Sequence, residues 1–207
     1  IQEWIVSKMM RSMSNASVDV KLSDKVTFKS IFGYDFMDTK HFEYWSPEGV
    51  NGASIGGLGS RYNYESRNLT SSSTLRYANT WNAVHNFDIL GGFEVEDRNL
   101  LSVIATAKQY STDKLPELGN GQPDNASSNV YSSGILSYLA SANYNYDNKY
   151  YLSASARRDG SSRLGADNRW ANFWSVSGAW RLSGESFLED SELFSDLKVR
   201  ASYGTNG

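Results

Sequence analysis

The sequence predicts an all-β protein, and more specifically a segment of a large antiparallel transmembrane β-barrel. Apolar and polar residues alternate with a period of two along about eight segments, which is typical of strands with one apolar and one polar face. Short and long connections alternate between these segments, as periplasmic turns and extracellular loops do in outer-membrane barrels. Aromatic residues make up 14% of the chain, with 13 Tyr and 6 Trp, and barrels collect such residues in girdles at the membrane interfaces.

Four strands are predicted in the N-terminal half of the chain. The first, about Met10 to Leu22, alternates apolar with polar residues, and the turn sequence SDK links it to the second, about Val26 to Asp35. The third, near Ser73 to Trp81, is less regular, because Asn79 stands among its apolar positions. The fourth, about Phe87 to Glu96, alternates clearly.

Four more strands are predicted in the C-terminal half. The fifth, about Leu136 to Tyr146, is linked by the sequence DNK to the sixth, which starts at Tyr150. The seventh covers about Phe173 to Ser183 and the eighth about Leu197 to Tyr203. Between these last two strands, the sequence SFLEDSELF predicts a one-turn helix.

The connections distinguish a barrel from a β-sandwich, the other all-β fold with alternating strands. Strands one and two, three and four, and five and six are joined by a few residues each. Strands two to three and four to five are joined by roughly 35 residues, and six to seven by roughly a dozen. A sandwich has a turn about every 8 to 12 residues. Tyr144, Tyr146 and Tyr150 also flank one short turn, as aromatic residues do at a membrane interface, so both observations favour the barrel.

The alternation also assigns an environment to each face. We expect lipid to cover the face that carries Leu152, Val176 and Val199, and water or a plug to lie against the opposite face. Charged residues such as Arg157 are tolerated on that opposite face, whereas an arginine facing lipid at mid-membrane costs about 2 to 4 kcal/mol. Arg158 falls on the apolar side of its strand, so we place it above the bilayer at the mouth of the strand.

The composition excludes several other classes of protein. The net charge of -3 lacks the basic excess that nucleic-acid binding requires. The chain has no Cys, which excludes a disulfide scaffold and a thiolate metal site, and no apolar run is long enough for a transmembrane helix. His41 and His85 have no partners at metal-ligand spacing, and no catalytic arrangement of nucleophile and base can be assembled. We therefore expect no cofactor, no metal and no enzymatic activity.

A predicted loop between strands two and three, HFEYWSPEGVNGASIGGLGSRYNY, carries the first candidate binding residues. Its aromatic side chains have flat apolar faces with polar rims, which suit a platform for a carbohydrate. The alternative is a loop whose aromatic residues pack on each other or on a partner protein. The candidate substrate-binding residues are Tyr44, Trp45, Tyr62 and Tyr64.

The sequence RRDGSSR, at 157–163, is the second candidate. Three arginines close to backbone amides and hydroxyl groups are suited to an anion site. The alternative is a loop in which Asp159 and Gly160 make a turn and Asp159 pairs with an arginine.

Three motifs in the last third of the chain carry a resemblance to a known family. They are RRDGSSRLG at 157–165, WRLS at 180–183 and LKVRASYG at 197–204. From about Ser137 to Gly207, the chain resembles the barrel of SusC-like (RagA-like) TonB-dependent outer-membrane transporters of Bacteroidetes. The family's loop has the form R-x-D-G-S-S-R-F-G, and Leu164 stands where Phe is usual. The residues that match this loop are Arg158, Asp159, Gly160, Ser161, Ser162, Arg163 and Gly165.

The resemblance implies nutrient uptake across the outer membrane of a Gram-negative cell. Residues 1–207 would be part of the barrel domain of a TonB-dependent receptor, surrounded by outer-membrane lipid and by the remainder of its own barrel. The plug domain and the TonB box are expected outside this chain, as is the contact with TonB. A SusD-like surface lipoprotein is implied as a lid over the mouth, and oligosaccharides or peptides as substrates.

A second function from another class stays open at this stage. A surface or secreted adhesive β-domain without transport would also have alternating strands, and it would be soluble without detergent. We further expect the chain to be a fragment, because it starts without Met and stops in an unfinished strand.

Overall fold

The computed structural model describes residues 3–188 and 194–205. These residues form eight β-strands in a single sheet, in which each strand lies beside its neighbour in sequence. The strands are β1 (Glu3–Lys21), β2 (Val26–Trp45), β3 (Leu58–Trp81), β4 (His85–Lys108), β5 (Gln122–Tyr146), β6 (Tyr150–Ser161), β7 (Trp170–Arg181) and β8 (Lys198–Gly204). All eight predicted strands are therefore present, and the all-β prediction is confirmed.

The described residues divide into two compact units. Within the described residues, unit 1 comprises 3–14, 33–69 and 97–133, and unit 2 comprises 15–32, 70–96, 134–188 and 194–205. Each of the strands β1 to β5 contributes to both units. Short 3-10 helices lie in four connections, at Ala53–Ile55, Leu118–Asn120, Ala166–Asn168 and Leu182–Gly184. In the part of the chain that is described, no helix is long and apolar enough to cross a membrane.

The prediction of two loops of roughly 35 residues is wrong. The connection from β2 to β3 covers only 46–57 and that from β4 to β5 only 109–121, because the strands extend far beyond their alternating parts. The first twelve residues of β5, 122–133, show the reason. Eleven of them are exposed, so this part of the strand has no apolar face and no period-two signal. It is a strand all the same, beside β4, since ladder hydrogen bonds do not depend on hydrophobic side chains.

The predicted helix at 186–194 lies mostly outside the described residues. Within the described part, residues 186–188 form a turn, and the short 3-10 helix of this connection comes earlier, at Leu182–Gly184. The predicted seventh strand accordingly ends at Arg181 instead of Ser183.

The register of β5 to β8 places apolar residues opposite apolar residues. Ala154 of β6 lies between Ala142 of β5 and Val176 of β7. The next residue along, Ser155, lies between Ser141 and Ser175, and the Oγ atoms of Ser155 and Ser175 are 2.7 Å apart. The predicted alternation of faces is therefore confirmed across these four strands, and a slip of one residue would exchange the two faces.

Within residues 3–188 and 194–205, the apolar face of β6 to β8 is largely exposed. Leu152, Val176 and Val199 are 54%, 42% and 56% exposed. Burying one such side chain fully is worth about 1.5 to 3 kcal/mol, so covering this face with an apolar medium would be favourable. Among the described residues, the buried apolar cluster consists of Phe42, Tyr44, Ala107 and Tyr110, all of which belong to unit 1.

Aromatic side chains surround the short turn between β5 and β6, as the sequence predicts. Asp147 and Asn148 both have φ of 53°, which closes the turn tightly and suits these two residue types. The ring of Tyr150 stacks on that of Trp180, with centroids 6.2 Å apart and planes inclined by 14°. Glu185 joins this pair, because it accepts hydrogen bonds from the Tyr150 hydroxyl at 2.6 Å and from the Trp180 indole at 2.9 Å.

These hydrogen bonds make the turn after β7 sensitive to acid. The Tyr150 hydroxyl and the Trp180 indole, in that order, lower the pKa of Glu185. A lowered pKa in the folded state means that the ionised carboxylate stabilises the turn above its unfolded pKa, and that this contribution is lost as the pH falls through the folded pKa.

We expect the backbone amide of residue 185 to exchange hydrogen faster at about pH 3 than at pH 7, after correction for the intrinsic rate. Glu185→Gln should show no such difference, and an equal pH response in both proteins would contradict the prediction.

Candidate functional site

The RRDGSSR segment lies mainly on a strand, not in a loop as predicted. Residues 157–161 belong to β6, where Asp159 pairs with Ala171 and Gly160 with Trp170 of β7. Asp159 and Gly160 therefore make no turn, because the ladder of hydrogen bonds to β5 and β7 continues through them. Alternate residues of a strand point to opposite faces, so Arg157 and Asp159 share the polar face, whereas Arg158 and Gly160 share the apolar one.

On the polar face, Arg157 is the centre of a charged cluster. Its Nε donates to Asp159 at 2.7 Å, its Nη1 lies 2.9 Å from Glu94 Oε2, and its Nη2 donates to Ser137 at 3.0 Å. The predicted pairing of Asp159 with an arginine is thus confirmed. Ser72 donates to Glu94 at 3.4 Å, which extends the cluster onto β3.

This charged cluster lines a concavity of about 460 Å³. Glu94 and Asp159 already share the guanidinium of Arg157, and the nearby Glu96 adds a second carboxylate from β4. The surface is therefore rich in hydrogen-bond acceptors and carries excess negative charge. It is chemically suited to contact hydroxyl or amide groups of a polar solute.

On the apolar face, Arg158 lies against an aromatic stack. The guanidinium carbon of Arg158 is 4.9 Å from the centroid of the Trp170 ring, and Trp170 stacks on Tyr138 with centroids 6.1 Å apart. The Trp170 ring covers Gly160 so closely that a Cβ at this position would lie 2.8 Å from the ring. Glycine is required here by this close approach. The register of the hairpin, which the sequence does not show, brings Gly160 opposite Trp170.

The serines of the motif hold the hairpin between β6 and β7. The amide of Ser161 donates to the carbonyl of Arg169 at 3.0 Å, and the Ser162 hydroxyl accepts from the amide of Gly134 at 2.8 Å. The Ser161 hydroxyl accepts from the amide of Arg163 at 3.3 Å. The hydroxyl and amide groups of Ser161 and Ser162, which were predicted to bind an anion, therefore form hydrogen bonds within the protein instead.

The four candidate aromatic residues do not form one platform. Tyr44 and Trp45 lie on β2, and Tyr62 and Tyr64 lie on β3, so all four are on strands instead of in a loop. Tyr44 is fully buried in unit 1, edge-on to Tyr110 with centroids 5.3 Å apart. Burial, together with the carboxylates of nearby acidic residues, raises the pKa of the Tyr44 hydroxyl. The Tyr44 ring is a packing residue, which matches the alternative of aromatic residues packed on each other.

The remaining three aromatic residues keep accessible surface. Trp45 follows Tyr44 directly and so points to the opposite face of β2. Tyr62 is half-buried and lies edge-on to His41 with centroids 5.5 Å apart, and Tyr64 is 39% exposed. Tyr62 and Tyr64 are two residues apart on one strand and therefore share a face. Of the four candidates, these two tyrosines therefore lie on one face of β3 with accessible surface.

The two histidines have protein partners. Nδ1 of His41 is 2.7 Å from the Ser7 hydroxyl, and Nδ1 of His85 is 2.7 Å from the Tyr144 hydroxyl. Over residues 3–188 and 194–205, no group of three or more His, Asp or Glu side chains is placed to hold a metal ion.

We expect Gly160→Val to displace the Trp170 ring and to destabilise the hairpin. Forcing a larger side chain into an occupied space costs about 1 to 3 kcal/mol, which thermal unfolding would show as a lower melting temperature. Gly165→Val is the matched control in the same hairpin, because nothing lies within 4 Å of a Cβ there and the φ of -58° suits any residue. Adding Trp170→Ala should relieve the clash in the Gly160→Val variant. Equal melting temperatures for the two valine variants would contradict the proposed contact.

Relatives in sequence are TonB-dependent receptors. The chain is 30% identical over 187 residues to TonB-dependent receptor P3 of Formosa agariphila, a match that covers 89% of this chain and 19% of that receptor. It is 41% identical over 73 residues to TonB-dependent receptor SusC of Bacteroides thetaiotaomicron, covering 35% of this chain and 7% of SusC. The chain thus spans about a fifth of the length of the first of these relatives. No family model matches the chain.

Solved structures show the same architecture. A chain of the RagAB peptide importer in the closed-closed state superposes with a TM-score of 0.90 at 25% identity, covering 98% of this chain and 23% of that chain. A second structure, of the RagAB peptide transporter, gives a TM-score of 0.86 at 26% identity over 98% of this chain and 23% of that chain. The predicted fold class, a segment of a large antiparallel barrel, is confirmed by this match. The resemblance found in the sequence motifs is confirmed as well: the relatives of this chain are TonB-dependent receptors, SusC among them, and its structural neighbours are chains of the RagAB importer.

Proposed function

We propose that the protein containing this chain is a TonB-dependent importer of oligosaccharides or peptides in the outer membrane of a Gram-negative cell. This segment supplies barrel wall and extracellular loops. The observation that carries the proposal is the uncovered apolar face of β6 to β8, opposite a face of serines and charged residues. Hydrocarbon is the medium that such a face requires, since no second layer of protein among the described residues lies against it.

The polar face is the lumen wall in this proposal. The cluster around Arg157 supports that role, because the guanidinium and its two carboxylate partners need a wet environment on their side of the sheet. A solute that passes this wall meets hydrogen-bond acceptors from Glu94, Glu96 and Asp159. Polar solutes with many hydroxyl or amide groups fit that surface, which covers both oligosaccharides and peptides.

The partners follow from the same proposal. Energy for import comes from TonB, acting on a plug and a TonB box outside this segment, and a SusD-like surface lipoprotein closes the extracellular mouth. The RagAB neighbours are described as a peptide importer, which supports the peptide class of substrate. The accessible faces of Tyr62 and Tyr64, in unit 1, suit stacking against sugar rings and support the oligosaccharide class.

A pair of adjacent substitutions tests which medium covers the apolar face. Ala154→Arg should strongly reduce the amount of full-length protein assembled in the outer membrane, because an arginine facing lipid costs about 2 to 4 kcal/mol at mid-membrane. Ser155→Arg adds the same charge on the wet face and should assemble nearly as well as the wild type. Assembly is measured by resistance of the membrane fraction to heat and protease, with Ala154→Leu as the control for size. Equal damage from the two arginine variants would count against a membrane barrel.

Import itself is tested by growth on defined substrates. A strain that lacks the gene should lose growth on one class of a panel of oligosaccharides and peptides, and the wild-type gene should restore it. Tyr62→Ala combined with Tyr64→Ala should then lower the affinity for that substrate by about 2- to 10-fold, because the substrate loses its stacking contacts with the two rings. A protein that purifies without detergent, in a strain whose growth is unchanged on every substrate, would support an adhesive domain instead.

A further inference from the structure

The apolar face of β6 ends in an arginine at the hairpin that joins β6 to β7. The register places Arg158 between Tyr138 of β5 and Asn172 of β7, on the same face as Ala154 and Val176. Arg158 and Asn172 are exposed, and Tyr138 is 51% exposed. The guanidinium therefore projects from the lipid-facing side, just where the apolar alternation of the strand stops.

Arg158 differs from its neighbour in its partners. Arg157 bonds two carboxylates and a serine on the polar face. For Arg158, the contact found among the described residues is the ring of Trp170, and no described carboxylate lies within ion-pair distance. A guanidinium that stacks on a ring through its face still directs its N–H groups outward at its edge. The N–H groups of Arg158 are therefore accessible to a group from outside the chain.

The surrounding charge favours an anion. The segment 157–170 contains four arginines and two aspartates, which leaves a net charge of +2 on a chain whose net charge is -3. Trp170 and Tyr138 form the aromatic floor of this segment on the apolar side. Tryptophan and tyrosine of this kind belong at the level where acyl chains meet headgroups.

We propose that Arg158, stacked on Trp170 and flanked by Asn172, binds the phosphate of a phosphorylated lipid in the outer leaflet. Arginine binds phosphate through two parallel N–H···O bonds, and stacking on a ring fixes the plane of the guanidinium group that donates them. The Asn172 amide supplies a further N–H donor beside it. Gly160 has a positioning role, because only a residue without Cβ lets Trp170 lie beneath Arg158. The inference rests on the proposed function, since it requires that hydrocarbon covers this face.

Lipid binding by matched variants of the full-length protein tests the proposal. The detergent-purified wild type, Arg158→Gln and Arg200→Gln are titrated with diphosphoryl lipid A and with the same lipid after removal of its phosphates, and bound lipid is counted by native mass spectrometry. Arg200 is the matched control, because it pairs with Ala179 on the polar face of the sheet. Arg158→Gln should weaken binding of the phosphorylated lipid about 10-fold, whereas Arg200→Gln should not change it. Arg158→Lys should lose less affinity for the phosphorylated lipid than Arg158→Gln, since lysine keeps the positive charge but lacks the two parallel N–H donors.

The outcomes separate this site from the function on which it rests. Wild-type affinity in Arg158→Gln, an equal loss in Arg200→Gln, or equal binding of the dephosphorylated lipid would overturn the lipid site and leave the importer intact. A protein that is soluble without detergent would overturn both. Arg158 is exposed, so its variants should keep the melting temperature of the wild type, and a lower affinity then reports the lost contact.

Discussion

In the proposed barrel, each of the strands β5 to β8 meets two different solvents with alternate side chains. Backbone groups are paired inside the sheet, so side chains alone decide which face meets hydrocarbon and which meets water. Ala154 lines up with Val176, and Ser155 lines up with Ser175, and a slip of one residue would exchange the apolar and the polar face. In such a barrel the strands need no apolar core of their own, because the surrounding hydrocarbon covers their apolar face.

The same alternation divides one short motif into two sites. Arg157 and Asp159 form an ion pair on the wet face, whereas Arg158 and Gly160 accommodate Trp170 on the other. Two adjacent arginines with identical chemistry therefore have different partners, because strand geometry sends them into different environments. As a linear sequence the motif looks like a polar turn, and as a strand it contributes side chains to both faces of the sheet.

Outside the alternating segments, the strands are held by other interactions. Unit 1 has a small buried cluster around Tyr44 and Tyr110, and Lys108 pairs with Asp124 at 2.9 Å between β4 and β5. These parts were predicted as loops, because their sequences carry no sustained alternation of apolar and polar residues. Tyr44 was predicted to contact a ligand because it is an aromatic residue. The sequence does not show its contact with Tyr110, because these two residues are far apart in the chain.

The sequence by itself determined the number of strands, their order and the face that most side chains of β5 to β8 take. Those features depend on residues one or two positions apart, and the pattern records them directly. Only the tertiary structure decided how far the strands extend, that Tyr44 is buried, and that Trp170 covers Gly160 beneath Arg158. These features depend on contacts between distant residues and on backbone hydrogen bonds, which form whatever the hydrophobicity of the side chains they carry.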